Sequence, residues 1–180
     1  MQTFNEVASA PTVLSTPLAV RRLLEELAVT WREVHDHPGL NPGCKVQAVL
    51  LDDSVGALMV LFAQSHLLDL NRLADLVGRR MTSIAPDRLQ QILGRHNLSV
   101  LPGLPAFTNS PCLYEEQLLQ QPLLLIGAGE PGLWLEISLE DFRRLLNNAS
   151  GGRFGESLSA IRLNLDQAQD DGEAINRAVQ

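Results

Sequence analysis

Lysine is almost missing from this 180-residue chain: of its fourteen basic residues thirteen are arginine, and Lys45 stands alone. Arginine keeps its charge in any ordinary site, whereas a lysine amine is compact, shifts its pKa on burial and carries three rotatable donors. Aromatic residues are scarce as well, at 4%, so the core must be built from leucine, valine, isoleucine and alanine. The two cysteines, Cys44 and Cys112, make neither a close pair nor a disulfide framework and read as free thiols in a reducing compartment. No apolar run approaches the ~20 residues that span a bilayer. Met1 to Pro11 has neither the basic stretch nor the apolar run of a signal peptide. These absences predict a soluble, cytoplasmic protein with no membrane partner. Positive charge is also short. A net charge of −7 argues against broad, sequence-independent binding to nucleic acid and leaves room for a local basic patch.

Several reaction classes lose support in the same way. There is no Gly-x-Ser-x-Gly elbow, so Ser/His/Asp catalysis is not expected. His35-Asp36-His37 could turn two imidazoles to one face of a strand. No other cluster has matching ligand spacing, so solvated histidines at a strand edge are expected, and no metal. Gly127, Gly129 and Gly132 satisfy G-x-G-x-x-G arithmetically, but that fingerprint needs a helix after the turn. Here Leu133 to Ile137 reads as a strand, and no nucleotide cofactor is expected. The turn either presents backbone N–H groups to a ligand or is a plain hairpin turn.

What is present fits one domain with one sizeable core, at 45% hydrophobic residues. Residues 1–15 form a loose lead-in. Thr16 is placed to cap a helix with Pro17 at its first position, and Leu23, Leu24 and Leu27 give helical spacing. Trp31 to His35 reads as a short strand stopped by His37-Pro38-Gly39. Val46 to Asp52 and Ala57 to Ala63 make an antiparallel hairpin. Asp69 to Val77 is predicted as a helix with Leu70, Leu73, Leu76 and Val77 inward and Gly78 as its stop. A strand over Met81 to Ala85, a helix from Pro86 to near Gly94 and an ordered loop over Leu101 to Pro111 follow. Leu123 to Ile126 and Leu133 to Ile137 flank the glycine turn, and Ser138 opens a helix through Leu146. Asn147 to Gly152 has linker composition, and the residues beyond show scattered apolars with no clean period. The domain is therefore expected over 16–146, with 147–180 as linker and C-terminal extension. The fold class is α/β: a mixed, largely antiparallel sheet with flanking helices.

Two features remain for function. Lys45 stands at the entry of a core strand, either as a functional amine or as a leftover surface lysine in an arginine-biased chain. Arg72, Arg79, Arg80, Arg88 and Arg95 gather between residues 66 and 100, either as a patch for one end of an RNA or as solvated helix faces.

In order and spacing the pieces resemble the YbaK/prolyl-tRNA-synthetase-associated domain, the aminoacyl-tRNA deacylase family, over roughly residues 17 to 146. The carriers are Trp31 to Pro38, the lysine-led strand Lys45 to Asp53, His66 to Gly78, Leu113 to Leu118 and Ile126 to Leu133. The resemblance implies a YbaK-like fold and hydrolysis of the ester joining a wrong amino acid to tRNA, outside the synthetase that made the error. It places the Lys45 amine near the substrate and Gly127, Ala128, Gly129, Gly103 and Phe107 along the pocket. The implied partner is the tRNA acceptor end with its amino acid, which Arg72, Arg79 and Arg80 would contact, with no cofactor or metal. Three departures stand out. Counted back from Asp52-Asp53, the family's lysine place falls on Gln47, which shares a strand face with Lys45. Phe107 follows Gly103 by four residues, where the family has proline. Gly39 to Cys44 replaces a whole helix. The alternative reading is a catalytically weakened binding or regulatory module. Such domains also occur joined to signalling modules such as HDOD, of which the residues after 146 show no sign.

Overall fold

A computed structural model describes residues 15–161. In chain order its elements are α1 (Leu18–Glu26), β1 (Arg32–His35), β2 (Lys45–Asp52), β3 (Ala57–Ala63), β4 (His66–Leu68), α2 (Leu70–Val77), β5 (Thr82–Ser83) and α3 (Pro86–Gly94). They continue with β6 (Cys112–Glu115), β7 (Leu123–Gly127), β8 (Leu133–Ser138), α4 (Leu139–Leu146), β9 (Ser150–Gly152) and β10 (Gly155–Ser157).

The β2–β3 hairpin is the centre of the sheet, in register from Val46↔Ala63 to Asp52↔Ala57. Its turn is made by Asp53, whose carboxylate accepts the Val55 and Gly56 N–H groups at 2.9 and 3.0 Å. β3 reads as an unbroken apolar run because both its faces are covered. Met59, Leu61 and Ala63 enter the larger core, while Leu58, Val60 and Phe62 enter a smaller one on the other side.

The strand order is β1-β8-β7-β2-β3-β6-β9, with β5 on the far part of β2 and a separate β4–β10 pair. The β1–β8, β8–β7, β2–β3, β2–β5 and β4–β10 ladders are antiparallel. The β2–β7, β3–β6 and β6–β9 ladders are parallel. The molecule is thus a single domain on a mixed, mostly antiparallel sheet. Val20 and Leu24 of α1, Leu93 of α3 and Phe142, Leu145 and Leu146 of α4 pack on the larger-core face. Leu73 of α2 packs on the other.

Three sequence expectations need correction. Pro17, not Thr16, is the N-cap of α1, and it provides no side-chain cap. Thr16 is buried instead, and its backbone N–H and hydroxyl both donate to Glu33. That pair of bonds, the hydroxyl's the stronger, holds the Glu33 carboxyl below its ordinary pKa and ties the start of α1 to β1. In α2 only Leu73 is buried, while Leu70 and Leu76 stay about half exposed. An eight-residue helix on a sheet needs a narrower stripe than its leucines offer. The third correction is the end of the domain. β9 pairs with β6 from Leu113↔Ser150 to Glu115↔Gly152, and β10 pairs with β4. Between them Phe154 is fully buried among Leu51, Leu58, Val60, Phe62, Leu73 and Met81. The expected linker is a strap that completes the smaller core. It is pinned by the buried Glu115, whose carboxylate accepts the Phe154 and Gly155 N–H groups at 2.7 Å each. The remainder of the C-terminal extension, 162–180, and nearly all of the N-terminal lead-in lie outside the described residues.

Candidate active site

The sheet forks beside Lys45. β2 meets β7 at Lys45↔Leu125 and Val46↔Ile126, then β5 at Leu51↔Ser83 and Asp52↔Thr82. Between these two ladders, Gln47 to Val49 has no strand against it on that edge among the described residues. Lys45 is held at the root of the fork by its own backbone. Its carbonyl accepts the Gln64 N–H at 2.9 Å, and the neighbouring Cys44 carbonyl accepts the Leu125 N–H at 2.8 Å. Ahead of it, Gly39 to Cys44 forms tight turns, with the Asn41 side chain accepting the Gly43 N–H.

The side chain of Lys45 is only 7% exposed as a residue, and its Nζ donates to Asp36 Oδ1 at 2.7 Å. It crosses the face of Trp134, with Nζ 5.2 Å from a ring centroid, inside cation–π range. The Trp134 indole N–H donates to the same Asp36 oxygen at 3.2 Å. Asp36 is itself placed by its backbone N–H, which donates to the Gly132 carbonyl at 2.8 Å. The two sides of the pair differ. Lys45 is closed off from water, while the Asp36 side chain is 48% exposed. An ammonium has three donors and Asp36 takes one, so two have no partner among the described residues.

The hydrogen bond from Lys45 holds the Asp36 carboxyl below the ordinary carboxylate range. Partial burial opposes that shift, and the Lys45 charge and the Trp134 N–H reinforce it. The Asp36–Lys45 contact is therefore complete above the unfolded carboxylate value of ~3.9 and is lost as pH falls through the lower folded one. The Trp134 indole N–H reports this directly. Its NMR resonance is expected to titrate with a midpoint below ~3.9, and Lys45→Met is expected to move that midpoint upward. An unmoved midpoint in the variant would show that no such pair exists in solution.

The other sequence-derived candidates divide. Gly127 pairs with Trp134 across β7–β8, so the two occupy the same row on the Lys45 face. Gly103 lies against the end of β7, where a Cβ would come 3.3 Å from Ile126 Cβ. Ala128 is fully buried, and its N–H is spent on the Leu133 carbonyl at 3.1 Å. Gly129 has φ +92°, and a Cβ there would come within 2.7 Å of Leu98 Cδ2. Its carbonyl accepts the Ser99 and Val100 N–H groups. Phe107 turns the other way, edge-on to His96 at 4.9 Å. Gln47 is exposed on the same strand face as Lys45. Arg72 is paired with Asp69 and Arg79 with Asp53, at 3.4 and 3.0 Å. Neither cysteine is suited to nucleophilic work, since burial raises the Cys44 thiol and pushes that of Cys112 to about 12.

Asp36 and Trp134 are the residues of this candidate site that sequence reasoning missed. Asp36 is visible only as the middle of a histidine pair, and its carboxylate goes to Lys45. The signal for Trp134 is its place in β8, where Leu133, Leu135 and Ile137 are buried and the alternate positions face outward. A tryptophan at an outward position of such a strand marks a surface where something packs.

Lys45, Asp36 and Trp134 thus form one cluster, a buried amine held by a half-exposed carboxylate and an indole at a fork in a mixed sheet. The profile of the aminoacyl-tRNA editing domain family matches residues 25–145, more than half of the chain, and the chain belongs to that family. A comparison with curated protein sequences finds no match. Among solved structures, a candidate signal transduction protein from Marinobacter aquaeolei VT8 superposes with TM-score 0.77 at 25% identity over 91% of this chain. The chain spans 36% of that protein's length. A candidate trans-editing enzyme for prolyl tRNA synthetase superposes with TM-score 0.66 at 20% identity, covering 79% of this chain and all of the other. At that identity the likeness concerns the fold, which is of the YbaK-like editing type.

Proposed function

We propose that this domain is a trans-editing hydrolase that deacylates mischarged aminoacyl-tRNA. The observation that carries the reading is the Lys45 amine, nearly buried, fixed by Asp36 and Trp134, with one of its three donors spent on the half-exposed Asp36. In ester hydrolysis the water oxygen bonds to the carbonyl carbon, and the carbonyl oxygen gathers negative charge. A fixed ammonium at that oxygen favours the charged intermediate over the neutral ester. The bond to the ribose oxygen then breaks, and the neighbouring ribose hydroxyl relays the water's proton to the departing oxygen. No protein nucleophile is required. The test is release of amino acid from a panel of mischarged tRNAs. Release from at least one, above the spontaneous rate, is the expected result; release from none overturns the reading.

Two glycines on one turn should respond differently to a methyl group. At Gly127 a Cβ would meet only ordinary contacts, 3.7 Å to the Leu101 carbonyl, so Gly127→Ala should fold normally. If substrate approaches the backbone there, its affinity should fall several-fold. Gly129→Ala combines a left-handed backbone with the 2.7 Å contact on Leu98, and should cost stability of about 1–3 kcal/mol. Melting curves and substrate KM for the two variants check this, and equal KM for Gly127→Ala and wild type would make the turn a plain hairpin.

A further inference from the structure

Of the three arginines expected to touch RNA, only Arg79 joins a larger arrangement of arginines that runs over α1 and α3. A cavity of about 580 Å³ lies between the start of α1 and the end of α3, lined by Arg21, Arg22, Arg95, His96 and Glu130 among others. A second, of about 480 Å³, lies further along α3 and takes Arg79, Arg88 and the same Arg95 into its wall. Arg88 and Arg95 are seven residues apart, two helical turns, and so share one face of α3. Five of the thirteen arginines thus form a band across a protein whose net charge is −7.

The two halves of the band differ in charge. Arg79 and Arg88 are offset by Asp53 and Asp52, at 3.0 and 2.6 Å. Arg21, Arg22 and Arg95 have no ion pair among the described residues. Three guanidinium groups therefore face one cavity against the single carboxylate of Glu130, which also accepts the Ser99 hydroxyl. Like charges around a common space repel, and an anion between them relieves the repulsion. Guanidinium groups match phosphate oxygens two hydrogen bonds at a time. The cavity lies with α1 and α3 on the larger-core side of the sheet, opposite the face that carries Lys45, and it reaches the sheet end beside that face through Glu130 of the turn from Gly127 to Gly132. That same turn sets Gly127 beside Trp134 and supplies the carbonyl that positions Asp36.

We propose that Arg21, Arg22 and Arg95, continued by Arg88 and Arg79, hold the phosphate backbone of an RNA strand next to its esterified end. The strand crosses α3, and its terminal ribose passes over the glycine turn toward Lys45. This rests on the aminoacyl-tRNA reading above and moves the expected contact from Arg72 and Arg80, which border separate hollows around α2, to α1 and α3. About three to five phosphate contacts on a single strand give a slope of log affinity against log salt of about 2 to 4.

The test is a titration of uncharged tRNA against the full chain, wild type and Arg22→Glu/Arg95→Glu, at several salt concentrations. Both positions are exposed, so the double variant should fold, and its melting curve checks that. The expected result is a loss of affinity of at least about tenfold, with a salt slope shallower by one to two units. Unchanged affinity and slope would overturn the proposal. Uncharged tRNA has no ester to cleave, so the two readings fail separately. A wild type that binds this RNA but cleaves no mischarged tRNA loses the hydrolase and keeps the band. A double variant that binds and cleaves like wild type loses the band and keeps the hydrolase.

Discussion

Lys45→Ala is expected to abolish the proposed ester hydrolysis and to leave the melting curve close to that of wild type. The two halves of this expectation have different causes. Fixed donors aimed at a developing oxyanion each contribute a factor of about 10²–10³ in kcat, and here one side chain supplies them all. The stability cost is small because the amine leaves behind a carboxylate that is already 48% exposed and can hydrate. Pairs open to water on one side contribute about 0.2–1 kcal/mol. Lys45→Arg is expected not to restore activity, since a planar guanidinium paired to Asp36 would have to leave the face of Trp134 or enter the space the substrate needs. In the proposed mechanism Asp36 and Trp134 act through the amine, as positioning residues. Full activity in a well-folded Lys45→Ala protein would remove Lys45 from the mechanism.

Phe154→Ala is expected to be the most damaging single change to the fold. The ring has no solvent exposure and fills the space under α2 among Val60, Phe62 and Leu73. Deleting it leaves a cavity that two adjacent strands and a helix cannot close, at a cost of about 3–5 kcal/mol. The loss should also loosen what the strap holds. Asp69, the N-cap of α2, donates its backbone N–H to the Phe154 carbonyl at 2.8 Å, and Leu158 donates to the Ser65 carbonyl. A drop in melting temperature of roughly 10 °C follows for a domain of this size. Truncation after Leu146 should do at least as much harm, and a truncated chain that melts like the full one would return residues 147–157 to the status of a linker.

Some of this molecule was determined by its sequence alone. The β2–β3 hairpin, the β7–turn–β8 pair, α3 opened by Pro86 and α4 capped by Ser138 all follow from short-range rules. Each rests on alternation, a turn residue or a cap within about ten residues, and their order was enough to show the resemblance to the editing family. The strap over 150–157 was not legible because strands of three residues carry too few positions to display a period. The single apolar residue between them, Phe154, looks in sequence like any scattered phenylalanine. The site was half legible. A lone lysine drew attention, but nothing local says that Asp36 would meet it or that Trp134, 98 residues from Asp36, would lie beneath it. Those meetings depend on the registers of β1 on β8, β8 on β7 and β7 on β2, none of them joined by a chain short enough to dictate the pairing except β7–β8. A shift of one residue in any of them would turn Trp134 or Lys45 to the opposite face of the sheet. Only the assembled sheet decides such registers, because they are selected by the burial of whole faces and not by any residue near the site.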